Sequence, residues 1–153
     1  MPPAPSSSFA DGVVLATSTT MLMPAVARYM TRRPVTIDSV ATLAAADRLM
    51  RVHQIRHLPV VDGGRLVGLV VAHDVHMLEL VGRLDLERAA VGSIMIREPF
   101  TVRESEPLDH VVDAMAARRL DAVVVLDLLG VRGIFTAVDA CEALASVLRR
   151  AVA

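Results

Sequence analysis

HLPVVDGGRLVGLVV (57–71) and AVVVLDLLGVRGIFT (122–136) decide the fold, because each reads as two apolar strands around a tight turn and they lie 65 residues apart. Asp62-Gly63-Gly64 carries the turn chemistry of a hairpin; the second copy keeps the strands with a less polar turn at Asp127-Leu128-Leu129. Sliding the chain by 65 positions aligns 26–80 with 91–145 without a gap, and 12 of those 55 pairs are identical. The identities fall where backbone geometry is demanding: Met30 with Met95, Pro34 with Pro99, Thr36 with Thr101, Gly68 with Gly133, Asp74 with Asp139. The chain is an internal duplication.

Outward from the hairpins, both copies show the same order of periods. A short helical stretch (PAVARYMTRR at 24–33, AAVGSIMIRE at 89–98) is stopped by a proline, and a short strand, PVTI or PFTV, follows. Apolar residues at helical spacing predict a helix over Leu43–His53 and another over Leu108–Arg119. After each hairpin a last helix is expected, from near His73 to Val81 and from Ala137 to Arg150. The expected class is α+β: two β-α-β-β-α repeats, 23–83 and 84–150, packed sheet to sheet about a pseudo-twofold axis. The Pro/Ser-rich start reads as an extended or mobile arm over residues 1–22, with no basic residue ahead of its mild apolar segment and hence no expected secretory signal.

Composition narrows the function classes. The chain has 153 residues and is 54% hydrophobic, yet no apolar run approaches the roughly 20 residues that span a bilayer. With so few aromatics, that apolar excess points to a homodimer face. Net charge is −1, all 16 basic residues are arginine, and they interleave with acids, so the footprint of a nucleic-acid binder is missing. Cys141 is the single cysteine, which fits a reducing cytoplasm, and it reads as a small buried residue. The methionines read as core or dimer filler. No Gly-x-Ser-x-Gly, phosphate loop or His-Glu-x-x-His occurs, so no enzyme is expected.

A Pro-Val-Thr strand, a helix ending before Leu-Pro-Val-Val-Asp, and an Asp opening the last helix together resemble the cystathionine β-synthase (CBS) domain, and two in tandem resemble a Bateman module. The resemblance covers about residues 24–148. It implies a regulatory module that binds AMP, ADP, ATP or S-adenosylmethionine in clefts between the repeats, requires no cofactor, and signals to a partner protein. It also implies that each cleft joins the Thr-x-x-Asp of one repeat to the early strand and Leu-Pro strand of the other. The main cleft then combines Thr136 and Asp139 with Thr36, Ile37, Arg56, His57, Leu58 and Pro59. A weaker one combines Asp74 with Thr101, Val102, Ala122 and Val123, where Val71 replaces threonine and Asp121 replaces a base. Physically, an adenine ring can slot among apolar strands and be read by main-chain amides, while a carboxylate at a helix start accepts from ribose hydroxyls. The same positions have simpler readings: Asp74 and Asp139 as helix-capping acids, Gly68 and Gly133 as packing glycines, Thr36 and Thr101 as β-branched strand residues. Two alternatives stand beside the ligand sensor: a ligand-free scaffold, and a metal-responsive sensor using His73 and His76, although no converging set of zinc ligands is evident.

Overall fold

The computed structural model describes residues 22–82 and 84–153; most of the expected N-terminal arm lies outside them. Its elements are β1 (Thr31–Arg32), α1 (Leu43–His53), β2 (His57–Asp62), β3 (Arg65–Val71), α2 (Ala72–Val81), β4 (Ile96–Arg97), β5 (Thr101–Arg103), α3 (Leu108–Arg118), β6 (Ala122–Asp127), β7 (Gly130–Thr136) and α4 (Ala137–Val152). The hairpin registers repeat with the same 65-residue offset, from His57 opposite Val71 and Ala122 opposite Thr136 down to Asp62 opposite Arg65 and Asp127 opposite Gly130.

Side-chain alternation along these strands builds three apolar layers. Leu58, Val60 and Val70 face α1 and α2 in a core with Leu43, Ala46 and Met50. Val123, Val125 and Phe135 face α3 and α4 in a second core with Val111 and Met115. The opposite faces meet each other through Leu69, Ala122, Val124 and Ile134, flanked by Val71 and Val131, so the sheets pack face to face. Each fully buried Val, Leu or Phe contributes about 1.5–3 kcal/mol, so the middle layer is a principal tie between the halves.

The lead-in segments depart from the helical expectation. Only Val26–Arg28 and Val91–Ser93 form single 3-10 turns, after which the chain straightens into β1 and β4 before the prolines. β1 pairs with β7 and β4 with β3, so each repeat's lead-in adds a strand to the other repeat's sheet. Their anchors are exchanged too: Val26 and Met30 lie in the second core, and Val91 lies in the first with Ile94 and Met95 packed beside it. The expected PVTI strand reduces to one parallel bridge between Ile37 and Val60, whereas its counterpart forms β5, parallel to β6.

The repeated methionines and glycines explain each other. A Cβ at Gly133 would lie 2.5 Å from Met30 Sδ and 2.9 Å from the Thr31 carbonyl; one at Gly68 would lie 2.5 Å from Met95 Sδ and 3.0 Å from the Ile96 carbonyl. Glycine lets each lead-in cross close over the other repeat's hairpin. Cys141 corrects the buried reading: Ala140 and Ala143 turn to the core, which leaves the thiol exposed.

The repeated aspartates hold the hairpin ends by different means. Asp62 accepts from Ser39 N at 3.0 Å and Ser39 Oγ at 2.6 Å. In the second copy glutamate replaces that serine, and Arg132 reaches both Asp127 at 3.2 Å and Glu104 at 3.8 Å, offsetting two like charges.

Gly133→Ala is expected to destabilise the protein by about 1–3 kcal/mol through overpacking. Met30→Ala combined with it should recover about 0.5–3 kcal/mol relative to the sum of the single effects, measured by urea unfolding. Simple additivity would show that Met30 and Gly133 are not in contact.

Candidate functional site

The end of the inter-sheet layer where both hairpins meet their final helices is the candidate site. Its two rungs are His57 opposite Val71 on one sheet and Ala122 opposite Thr136 on the other. The duplication would permit two equal clefts there; the side chains make them unequal. Thr136 and His57, assigned to one cleft, bring polar groups, whereas Val71 and Ala122, their repeat counterparts, bring only carbon.

Thr136 and Asp139 form a complete capping box at the start of α4. Asp139 Oδ2 accepts from Thr136 N at 2.8 Å and from Thr136 Oγ1 at 3.0 Å, and Asp139 N donates to Thr136 Oγ1 at 3.3 Å. The capping reading of Asp139 is therefore realised, and only Oδ1 is without a partner among the described residues. Asp74 differs. Val71 cannot cap α2, and among the described residues the Asp74 carboxylate accepts no hydrogen bond, which leaves both oxygens available in a first-turn position.

Thr36 and Ile37 lie along β2, where Ile37 N donates to the Pro59 carbonyl at 3.1 Å and Val61 N to the Ile37 carbonyl at 2.8 Å. Thr36, Ile37, Leu58 and Pro59 are thus adjacent. The Ile37 and Leu58 side chains, however, point into the helix-facing core, so at these two positions only backbone is left for a ligand. Thr101 and Val102 sit beside Val124 and Val125 on β6, and Val123 belongs to the second core.

Arg56 and His57 separate. The Arg56 carbonyl accepts from Ala72 N at 2.8 Å, and its side chain lines a groove outside the first sheet with His73 and His76, which places it at the start of α2. By the same geometry the Asp121 carbonyl accepts from Ala137 N at 2.9 Å, which places Asp121 at the start of α4 beside the capping box. His57 is partly buried. Burial depresses its pKa below the ordinary histidine value, Asp121 partly offsets this across the repeats, and Arg56 adds to the depression. The sequence hid this because a shift of one residue along a strand reverses the face a side chain occupies.

Among the described residues no group of three or more metal-ligating side chains gathers. His76 Nε2 instead meets Asp47 Oδ1 at 3.2 Å. No described helix is long and apolar enough to cross a membrane.

This architecture is that of a CBS domain pair, and the chain belongs to the CBS domain family, whose profile matches residues 26–78 and 91–146. It is 33% identical over 99 residues to an L-aspartate semialdehyde sulfurtransferase of Methanocaldococcus jannaschii, a match covering 64% of this chain and 18% of that protein. The chain spans only about a fifth of the length of the curated relatives it matches. Among solved structures, the CBS domain pair of protein MJ0100, in complex with 5′-methylthioadenosine and S-adenosyl-L-methionine, is 28% identical with a TM-score of 0.74, covering 82% of this chain and 98% of that one. A putative acetoin utilization protein from Vibrio cholerae is 26% identical at the same TM-score of 0.74, over 84% and 95% of the two chains.

The depressed His57 pKa sets a pH dependence. The unfolded chain binds the His57 proton more readily than the folded one, so this contribution to stability is full above about pH 6.5 and is lost as pH falls below it. Unfolding free energy measured from pH 7.5 downward is expected to fall through that window, and His57→Gln should flatten the slope. An unchanged slope in the variant would remove His57 as its source.

Proposed function

We propose that this CBS pair is a regulatory sensor, not a catalyst, that holds an adenosine-containing ligand between its repeats and passes occupancy to a partner protein. The observation that carries the reading is the inequality of the rungs: the cleft of Thr136, Asp139, His57, Thr36 and Pro59 has polar groups at its mouth and backbone along β2 for a base. Asp139 Oδ1 serves a ribose hydroxyl, and Asp74 with Thr101, Val102, Ala122 and Val123 forms the more apolar second cleft.

Asp121 beside the capping box disfavours a phosphate there. An uncharged or cationic adenosyl ligand fits the Asp139 cleft better than an adenine nucleotide. The binding of methylthioadenosine and S-adenosylmethionine by the MJ0100 pair supports that preference. Isothermal titration with adenosine, methylthioadenosine, S-adenosylmethionine and AMP is expected to give micromolar binding of the first three, weakened at least tenfold by Asp139→Ala. Binding indifferent to that substitution would move the ligand elsewhere, and no binding of any of them would favour a ligand-free scaffold.

A homodimer is part of the proposal. On α4, Leu144 is 57% exposed and Leu148 55% exposed one turn later, beside exposed Cys141. A second copy covering this face accounts for both leucines, and the exposed thiol suits a reducing cytoplasm. Light scattering should report a dimer that Leu144→Glu with Leu148→Glu converts to a folded monomer; a dimer in both would place the interface on another face.

A further inference from the structure

The turn between β6 and β7 holds two leucines out in solvent, Leu128 at 101% exposure and Leu129 at 90%. Asp127 Oδ1 accepts from Leu129 N at 2.7 Å, which fixes the turn. Gly130 backs onto the other hairpin so closely that a Cβ there would stand 2.7 Å from the Gly64 carbonyl oxygen. The 65-residue shift supplies an internal control, because the corresponding turn is Gly63-Gly64. The fold therefore closes this kind of hairpin without leucine.

A second pair of exposed apolar residues lies in the same half of the molecule. Because the lead-ins are exchanged, Leu22 and Met23, 88% and 49% exposed, precede the strand that joins the second repeat's sheet. Their path is fixed by the Pro24 carbonyl, which accepts from Leu108 N at 2.9 Å, and by Ala27 N, which donates to the Glu104 carbonyl at 3.2 Å. The Glu104 carboxylate meets Arg132 at 3.8 Å and Arg132 meets Asp127 at 3.2 Å, so a continuous line of contacts joins the base of the lead-in to the leucine turn. In the other half Glu87 and Arg88 stand in place of Leu22 and Met23, and glycines in place of the leucines. Apolar residues gathered at one of two equivalent ends mark a docking surface, not a requirement of the fold.

The occupant follows from what precedes each lead-in. Ahead of the second stands α2, already packed; ahead of the first stand residues 1–21, outside the described residues, with Val13, Val14 and Leu15 and a single charge, Asp11. From Leu22 back to Leu15 the chain reaches about 25 Å when extended. Tethering gives such a segment an effective concentration on the order of millimolar, which a free partner seldom matches. Arg132, beside the turn, already faces two carboxylates and so offers no excess charge to anionic headgroups. We propose that Val13, Val14 and Leu15 fold back onto Leu128 and Leu129 of their own chain, making the segment ahead of the first repeat an internal ligand of the second. The docking depends on neither the adenosine reading nor the α4 dimer.

Methyl NMR of the full chain, labelled at valine and leucine, tests it. Cross-relaxation between the Val13 or Leu15 methyls and those of Leu128 or Leu129 is expected, unchanged on dilution and absent between differently labelled copies in a mixed sample. Leu128→Gly with Leu129→Gly, the turn chemistry of the first hairpin, should remove it and speed elastase cleavage within residues 13–16 by about tenfold or more. Val13→Asp with Leu15→Asp, outside the described fold, should remove it as well and leave the hairpin intact. Leu80→Gln, at an 81% exposed position on α2, should change neither reading. Contacts seen only between differently labelled copies would make the occupant a second chain. Binding of phosphatidylcholine–phosphatidylglycerol vesicles that the glycine variant loses would make it a membrane, and cleavage as fast in the unaltered chain as in that variant would leave the leucines uncovered. Each of these results would overturn the proposal.

Discussion

The structure depends on an exchange of sulfur against missing methyl groups. Met30 occupies the space a side chain would need at Gly133, and Met95 does the same at Gly68, so each repeat's lead-in closes over the other repeat's hairpin. Because β1 and β4 then add to the exchanged sheets, neither repeat has a complete sheet or core by itself. The exchange fixes the separation of the sheets and presents the two rungs, His57 with Val71 and Ala122 with Thr136, to one another at the same end of the layer. The proposed ligand cleft rests on that juxtaposition.

Within this frame the duplication has been used unevenly. Positions that govern backbone approach stay alike, while groups that govern charge have separated: Arg56 against Asp121, His57 against Ala122, His73 against Val138. The result is basic side chains, Arg56 and His73, at the start of α2 and a carboxylate pair, Asp121 and Asp139, at the start of α4. At the start of α4 an exposed valine, Val138, stands where α2 has His73. In the proposed reading one architecture offers two kinds of surface, a cleft for an adenosyl group and the α4 face for a second copy of the chain.

Much of the fold was legible because it was written twice. Hairpin chemistry around Asp62-Gly63-Gly64 and helical spacing from Leu43 and Leu108 place the main elements to within a residue or two. The lead-ins were misread as helices because local propensity carries no record of the β7 and β3 edges that pull Thr31 and Ile96 into strands. Also invisible were the left-handed residues Gln54 and Arg119 at the helix ends, and Arg33 and Glu98 before the prolines, since none is the glycine that usually marks such a turn. At the site, residue types were readable and directions were not. Ile37 and Leu58 point into the core, and Arg56 stands by α2, because alternation along β2 assigns faces that a list of motif positions does not contain.

The central claim is that the ligand is held by both repeats at once, and methyl NMR of the full chain titrated with methylthioadenosine tests it most directly. The account predicts simultaneous shifts at the Thr36 methyl from the first repeat and at the Thr136 methyl from the second, saturating at one common concentration. Shifts confined to one repeat, or saturating at different concentrations in the two, would contradict it.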